Sequence, residues 1–152
     1  RLDAKSQNIL RIIATNAQNL QTDKESLFLL NVKAIPAKST EQSSQNVLQI
    51  ALKTTIKLFY RPAGLQGSLQ ETVEKLQWRA EGGHLTVHNP SGFNVVVSDL
   101  LINNKASQGM PEVIKPGDTV TTAIPLKNSD KLELTYINEY GSTVKAAPIT
   151  VH

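Results

Sequence analysis

Cysteine is absent from all 152 residues, which excludes disulfides, thiol catalysis and cysteine-ligated metals. Aromatic residues make up only 5%, and no apolar run approaches the eighteen or so residues of a membrane-spanning helix. Neither sign of charge dominates: the net charge is +3, and the basic residues are scattered, which leaves no footprint for nucleic acid. The chain opens on charged Arg1 and Asp3 with no long apolar stretch behind them, so no export signal is visible. A processed signal would leave no trace, and the compartment stays open on this ground. Helical periodicity is nearly missing too, with only Gln66 to Lys75 reading as a short helix. What the chain does have is Val, Ile, Leu and Thr in abundance, the residues of a pleated, half-buried surface.

The most regular stretch is Asn46 to Pro62, NVLQIALKTTIKLFYRP. Leu48, Ile50, Leu52, Thr54, Ile56, Leu58 and Tyr60 alternate with Gln49, Ala51, Lys53, Thr55 and Lys57. This period of two predicts a strand of about 50 Å that Pro62 ends, since proline has no N–H for the ladder. On an edge, Leu48, Ile50 and Leu52 would present three apolar side chains about 6.7 Å apart, able to fill pockets in a partner's added strand. The alternative is that the same three face their own core, as half of any sheet does.

Before that stretch, Ile9 to Ile13 reads as a strand, Leu20 to Lys24 as a turn, and Ser26 to Ile35 as a buried strand, apolar on both faces. Ala37 to Gln45 is a polar connection, and Ala63 to Gly67 a linker. Six further strands are predicted at Leu76–Arg79, Leu85–His88, Phe93–Ile102, Thr119–Ile124, Leu132–Asn138 and Thr143–Val151, with Gly, Asn and Pro turns between them. The expected fold is all-β: two immunoglobulin-like sandwiches, the first incomplete, over residues 1–62, a linker 63–67 and a second sandwich 68–152. Its core is expected to include Leu76, Trp78, Leu85, Val87, Val95, Val97, Leu132 and Leu134.

Chemistry finds little to use. His84 and His88 lie about 13 Å apart on a strand, too far to share a metal. Ser68, Ser98 and Ser107 sit in no nucleophile motif, and no glycine-rich loop has phosphate-binding spacing. Pro90 in the middle of Asn89-Pro90-Ser91 excludes glycosylation there. No catalytic set, cofactor site or metal site is expected.

Two motifs together carry a resemblance. NVLQIALKTTIKLFYRP resembles the last strand of the first domain in periplasmic pilus-assembly chaperones of the chaperone–usher pathway. Leu20 to Pro36, LQTDKESLFLLNVKAIP, resembles that family's signature at Asp23, Lys24, Glu25, Ser26, Leu27, Asn31, Val32, Ile35 and Pro36. Gln21 and Leu29 depart from it, standing where the family usually has a small residue or proline and an aromatic.

The resemblance implies a non-catalytic periplasmic protein that lends its long strand to a pilin subunit and hands it to the outer-membrane usher. It assigns Leu48, Ile50, Leu52 and Thr54 to the donated strand and Lys57 to the subunit's C-terminal carboxylate. An ammonium in a partly dry cleft would fix that carboxylate and with it the register. The family pairs this lysine with an arginine of its first strand, for which no position matches here. Glu25, Arg61 and Glu139 match charges that bridge the two domains, Glu139 standing where the family usually has Asp. The short connection between Pro36 and Asn46 resembles the branch that builds rod-like pili. The family's opening strands have no counterpart, so the chain reads as a fragment, expected by itself to self-associate through exposed edges rather than to capture a subunit. The rival readings are a surface immunoglobulin-like adhesion module and a truncated, non-functional chaperone. Neither nucleic acid nor membrane insertion is expected.

Overall fold

The computed structural model describes residues 7, 9–35 and 50–152. Its first part is a two-stranded antiparallel sheet, β1 (Ser26–Ala34) and β2 (Leu52–Tyr60), in unbroken register from Ser26 opposite Tyr60 to Ala34 opposite Leu52. Because side chains alternate, this register sets Phe28, Leu30 and Val32 beside Leu58, Ile56 and Thr54 on one face. Asn31 and Thr55 meet on the other, where the Thr55 hydroxyl donates to Asn31 Oδ1 at 2.6 Å.

Three expectations change here. The long strand is nine residues, because Ile50 and Ala51 lie outside the ladder, and Leu48 and Gln49 fall outside the described residues. Ile9 to Ile13 forms no strand; among the described residues the only regular element before β1 is a single 3₁₀ turn at Ala17–Asn19. The strand at Ser26 to Ala34 is not buried: Phe28, Leu29 and Val32 are 44%, 61% and 38% exposed. Apolar residues on both strand faces call for cover on both. Among the described residues β1 pairs only with β2, and neither face is covered fully enough to bury it.

The second part is a closed sandwich. A short helix leads in, α1 (Leu69–Lys75), whose capping box is Ser68-Leu69-Gln70-Glu71, with Ser68 Oγ accepting from the Glu71 N–H at 3.2 Å. It buries Leu69, Thr72 and Val73, the one-face spacing of a helix. One sheet follows the order β3 (Gln77–Glu81), β4 (His84–His88), β8 (Thr119–Pro125). The facing sheet is centred on β5 (Val95–Ile102) and β9 (Lys131–Ile137), with short β6 (Lys105–Ala106) and β7 (Val113–Ile114) on β5. On the far edge of β9 lie β10 (Thr143–Lys145) and β11 (Ile149–Thr150). Two two-residue turns have both central residues at positive φ, Gly82-Gly83 and Asn103-Asn104, as tight hairpins of this hand require.

The predicted helix and six strands all appear, with one division. Thr143 to Val151 splits in two, since Pro148 has no N–H to continue the ladder. The two-residue strands β6 and β7 are too short to show periodicity. Leu76, Trp78, Leu85, Val87, Val95, Leu132 and Leu134 are buried as expected, and Val97 packs partly buried against them. Among the described residues no helix is long and apolar enough to cross a membrane.

Candidate functional site

The register of the β1–β2 sheet builds the site. Ser26 stands opposite Tyr60, so one residue further out Glu25 and Arg61 emerge side by side at the same end of the sheet. Arg61 Nε donates to Glu25 Oε1 at 2.8 Å, and its Nη1 also pairs with Oε1 of Glu139. Glu139 comes from the second sandwich, in the loop after β9. There Asn138 Oδ1 accepts from the Tyr140 and Ser142 N–H groups, and Gly141 takes φ +80°. The structure therefore brings Glu25, Arg61 and Glu139 together across the junction of the two parts.

Glu25 is the buried member, its side chain 3% exposed against 42% for Arg61 and 45% for Glu139. A buried carboxylate must have every oxygen satisfied. Here Oε1 takes Arg61, while Oε2 accepts from the Asn94 N–H at 2.8 Å and from Asn94 Nδ2 at 3.2 Å. The Glu25 N–H in turn donates to the Gly92 carbonyl at 2.8 Å. The Arg61 guanidinium stacks over the Phe93 ring, 4.7 Å from its centroid. Burial works to lower the Arg61 pKa, but its bonds to Glu25 and Glu139 outweigh that and leave it raised. The guanidinium is thus a permanent cation holding two carboxylates from two parts of the chain.

Sequence reasoning missed the loop that receives these groups. It took Asn89-Pro90-Ser91-Gly92 as a plain turn, yet Asn89 is completely buried. Asn89 Nδ2 donates to the carbonyls of Phe93 and Ile114, and Oδ1 accepts from the N–H and hydroxyl of Ser91. That pinned loop presents Gly92, Phe93 and Asn94 to Glu25 and Arg61. Gly92 is required by space: a Cβ there would lie 2.7 Å from the Asp23 carbonyl oxygen and 2.5 Å from Leu65 Cδ1. The one available signal was the turn-forming run Asn-Pro-Ser-Gly itself, which gives position but not partner.

Between the two parts lies a cleft of about 490 Å³, lined among others by Lys57, Arg61, Asn94, Val96 and Glu139. Lys57 sits on the polar face of β2, 31% exposed, and its Nζ is 2.9 Å from Oε2 of Glu112. Glu112 was not among the residues expected at this site. Of the expected donated-strand residues, Ile50 and Leu52 are 65% and 68% exposed, Thr54 is exposed, and Leu48 lies outside the described residues. The two histidines part company: His84 Nδ1 donates to the Gly82 carbonyl, and His88 Nδ1 bonds the Thr119 hydroxyl. Among the described residues no three His, Asp or Glu gather where a metal could bind.

Comparison with known proteins bears on the family. Residues 1–66 match the family described as "Pili and flagellar-assembly chaperone, PapD N-terminal domain", and residues 71–147 match "Pili assembly chaperone PapD, C-terminal domain". The chain is 38% identical over 143 residues to "Probable fimbrial chaperone LpfB" of Escherichia coli O157:H7, covering 93% of this chain and 61% of that protein. It is 33% identical over 141 residues to "Chaperone protein FimC" of Escherichia coli K12, covering 93% and 58%. Among solved structures, the YadV chaperone superposes with TM-score 0.69 at 31% identity, over 89% of this chain and 67% of that one. The SafB chaperone of Salmonella enterica, solved in complex with SafA pilin, superposes with TM-score 0.73 at 22% identity, over 88% and 62%. The chain thus spans about three-fifths of the length of the relatives it matches. A sheet end that sets Glu25 beside Arg61, a second immunoglobulin-like sandwich that answers with Glu139, and two family matches in tandem lead to one conclusion: the chain belongs to the PapD-type pilus-assembly chaperones.

Proposed function

We propose that this protein is a periplasmic, non-catalytic chaperone that completes a pilin subunit's unfinished sandwich with its β2 strand and delivers the subunit to the outer-membrane usher. The observation that carries the reading is exposure. Leu52 at the start of β2 and Ile50 two residues before it stand 68% and 65% exposed where a sheet of its own would bury them. Among the described residues the outer edge of β2 is unpaired and offers main-chain hydrogen bonds, and the alternate side chains offer anchors. Chaperone–pilin complementation is a known example of this mode of strand addition. In this reading Leu48, Ile50, Leu52 and Thr54 enter the subunit's groove. Lys57 holds its terminal carboxylate, and Glu25, Arg61 and Glu139 keep the two sandwiches at a fixed angle. Residues 1–62 and 68–152 act as the two domains, joined by 63–67.

The test is capture of a pilin subunit lacking one strand. Ile50→Asp places a charge in the partner's apolar groove and abolishes capture, whereas Gln49→Asp, one residue away in the polar register, leaves it nearly unchanged. Equal losses would mean that the alternation is not what the partner reads. The same exposure supports a second reading, self-association of the chain through Phe28, Leu29, Leu52 and the free strand edges. Size-exclusion chromatography separates the two, since self-association alone gives concentration-dependent oligomers and no complex with pilin.

A further inference from the structure

From the charges around the cleft we infer that Glu112 is an internal competitor for the carboxylate site at Lys57, occupying the ammonium until a ligand's terminal carboxylate displaces it. The inference rests on the role proposed above for Lys57. Two cations line the cleft, Lys57 and Arg61, and both are already engaged by the protein's own carboxylates. Arg61 holds Glu25 and Glu139, and Lys57 holds Glu112 at 2.9 Å, which makes three carboxylates for two cations. Among the described residues lining the cleft, an incoming carboxylate therefore meets no vacant cation and a negative surplus, and one resident acid must give way.

The structure distinguishes which one. Glu25 is 3% exposed and accepts from Arg61 and from both nitrogens of Asn94, so its removal would leave buried donors empty. Glu139 shares its guanidinium with Glu25 and sits on a loop pinned by Asn138. The Glu112 side chain is 84% exposed and its carboxylate has Lys57 as its ion-pair partner. Its backbone, by contrast, is held: the Glu112 carbonyl accepts from the Val97 N–H at 2.9 Å, and Val113 and Ile114 pair with β5. The carboxylate can swing into water while its tether stays in place, ready to retake Lys57 when the ligand leaves. An exposed pair of this kind is weak enough to be displaced and strong enough to lower affinity severalfold. Its effect is to loosen the grip on a bound carboxylate and so to favour release.

The test measures binding of a synthetic apolar-alternating strand peptide, with a free C-terminal carboxylate or a C-terminal amide, to the wild-type chain, Glu112→Gln, Lys57→Met and the double variant at low salt. Glu112→Gln is expected to tighten the carboxylate peptide about two- to fivefold and leave the amide peptide unchanged. In the Lys57→Met background the Glu112→Gln change is expected to do nothing. If Lys57→Met weakens the carboxylate peptide but Glu112→Gln leaves it unchanged or weaker, the competitor role is refuted and the anchor stands. If Glu112→Gln tightens both peptides equally, the residue acts only on the domain junction and the inference fails. If Lys57→Met does not separate carboxylate from amide, the anchor itself fails and the competitor falls with it.

Discussion

Replacing Arg61 by alanine leaves Glu25 as a buried carboxylate without its cation, held only by Asn94. Breaking a fully buried ion pair from one side costs about 3–5 kcal/mol. The Arg61 side chain is 42% exposed, so solvent already screens the pair, and the cost here comes down to about 1–3 kcal/mol. Loss of the stacking on Phe93 is part of that figure. Glu139→Ala removes a pair whose two ends are 42% and 45% exposed and should cost under about 1 kcal/mol. Amide hydrogen exchange at Asn94 reads the junction directly, because its N–H donates to Glu25 Oε2. Amides paired between β5 and β9 serve as an internal reference for global unfolding. Arg61→Ala should lower Asn94 protection about 5- to 150-fold with the reference amides little changed, and Glu139→Ala less than about fivefold. Arg61→Lys should fall between the two, keeping the charge but losing the fork. Equal effects of Arg61→Ala and Glu139→Ala would refute the reasoning, since they would show that burial of Glu25 does not set the magnitude.

Three further outcomes are expected. Gly92→Ala puts a Cβ 2.7 Å from the Asp23 carbonyl, a backbone atom that cannot turn aside, so the junction should open at a cost of about 1–3 kcal/mol, seen as lost protection of the Glu25 and Asn94 amides. Asn89→Ala strands the carbonyls of Phe93 and Ile114 inside the protein; a stability loss of about 1–3 kcal/mol should appear in urea unfolding followed by Trp78 fluorescence. Asp130 is held below its ordinary value of 3.8 by the hydrogen bond from Asn103 Nδ2, and next by the Lys127 N–H. A folded value below the unfolded one means its contribution is complete above the unfolded value and lost as pH falls through the folded one. Carboxyl NMR titration should place its midpoint below 3.8, and Asn103→Ala should move it back up.

The sequence by itself determined the helix, the longer strands of the second sandwich and much of its core. Its strands alternate between turns made by Gly82-Gly83 and Pro116-Gly117-Asp118, and burial there follows from local period and local breakers. The charges at Glu25, Arg61 and Glu139 were legible in it only as matches to the motifs of a known family, not from period or spacing. Only the tertiary structure decided what those charges touch. The register of Ser26 against Tyr60 sets Glu25 beside Arg61, a relation between residues 36 apart that no window of sequence contains. The bond of buried Asn89 to the Ile114 carbonyl, the close pass at Gly92, the two hydrogen bonds from Asn94 to Glu25 and the reach of Glu112 to Lys57 are likewise contacts between distant segments. Burial of β1 was misjudged for the same physical reason: an apolar side chain states that cover is favourable, whereas exposure depends on which surfaces meet it, and that is a property of the folded whole.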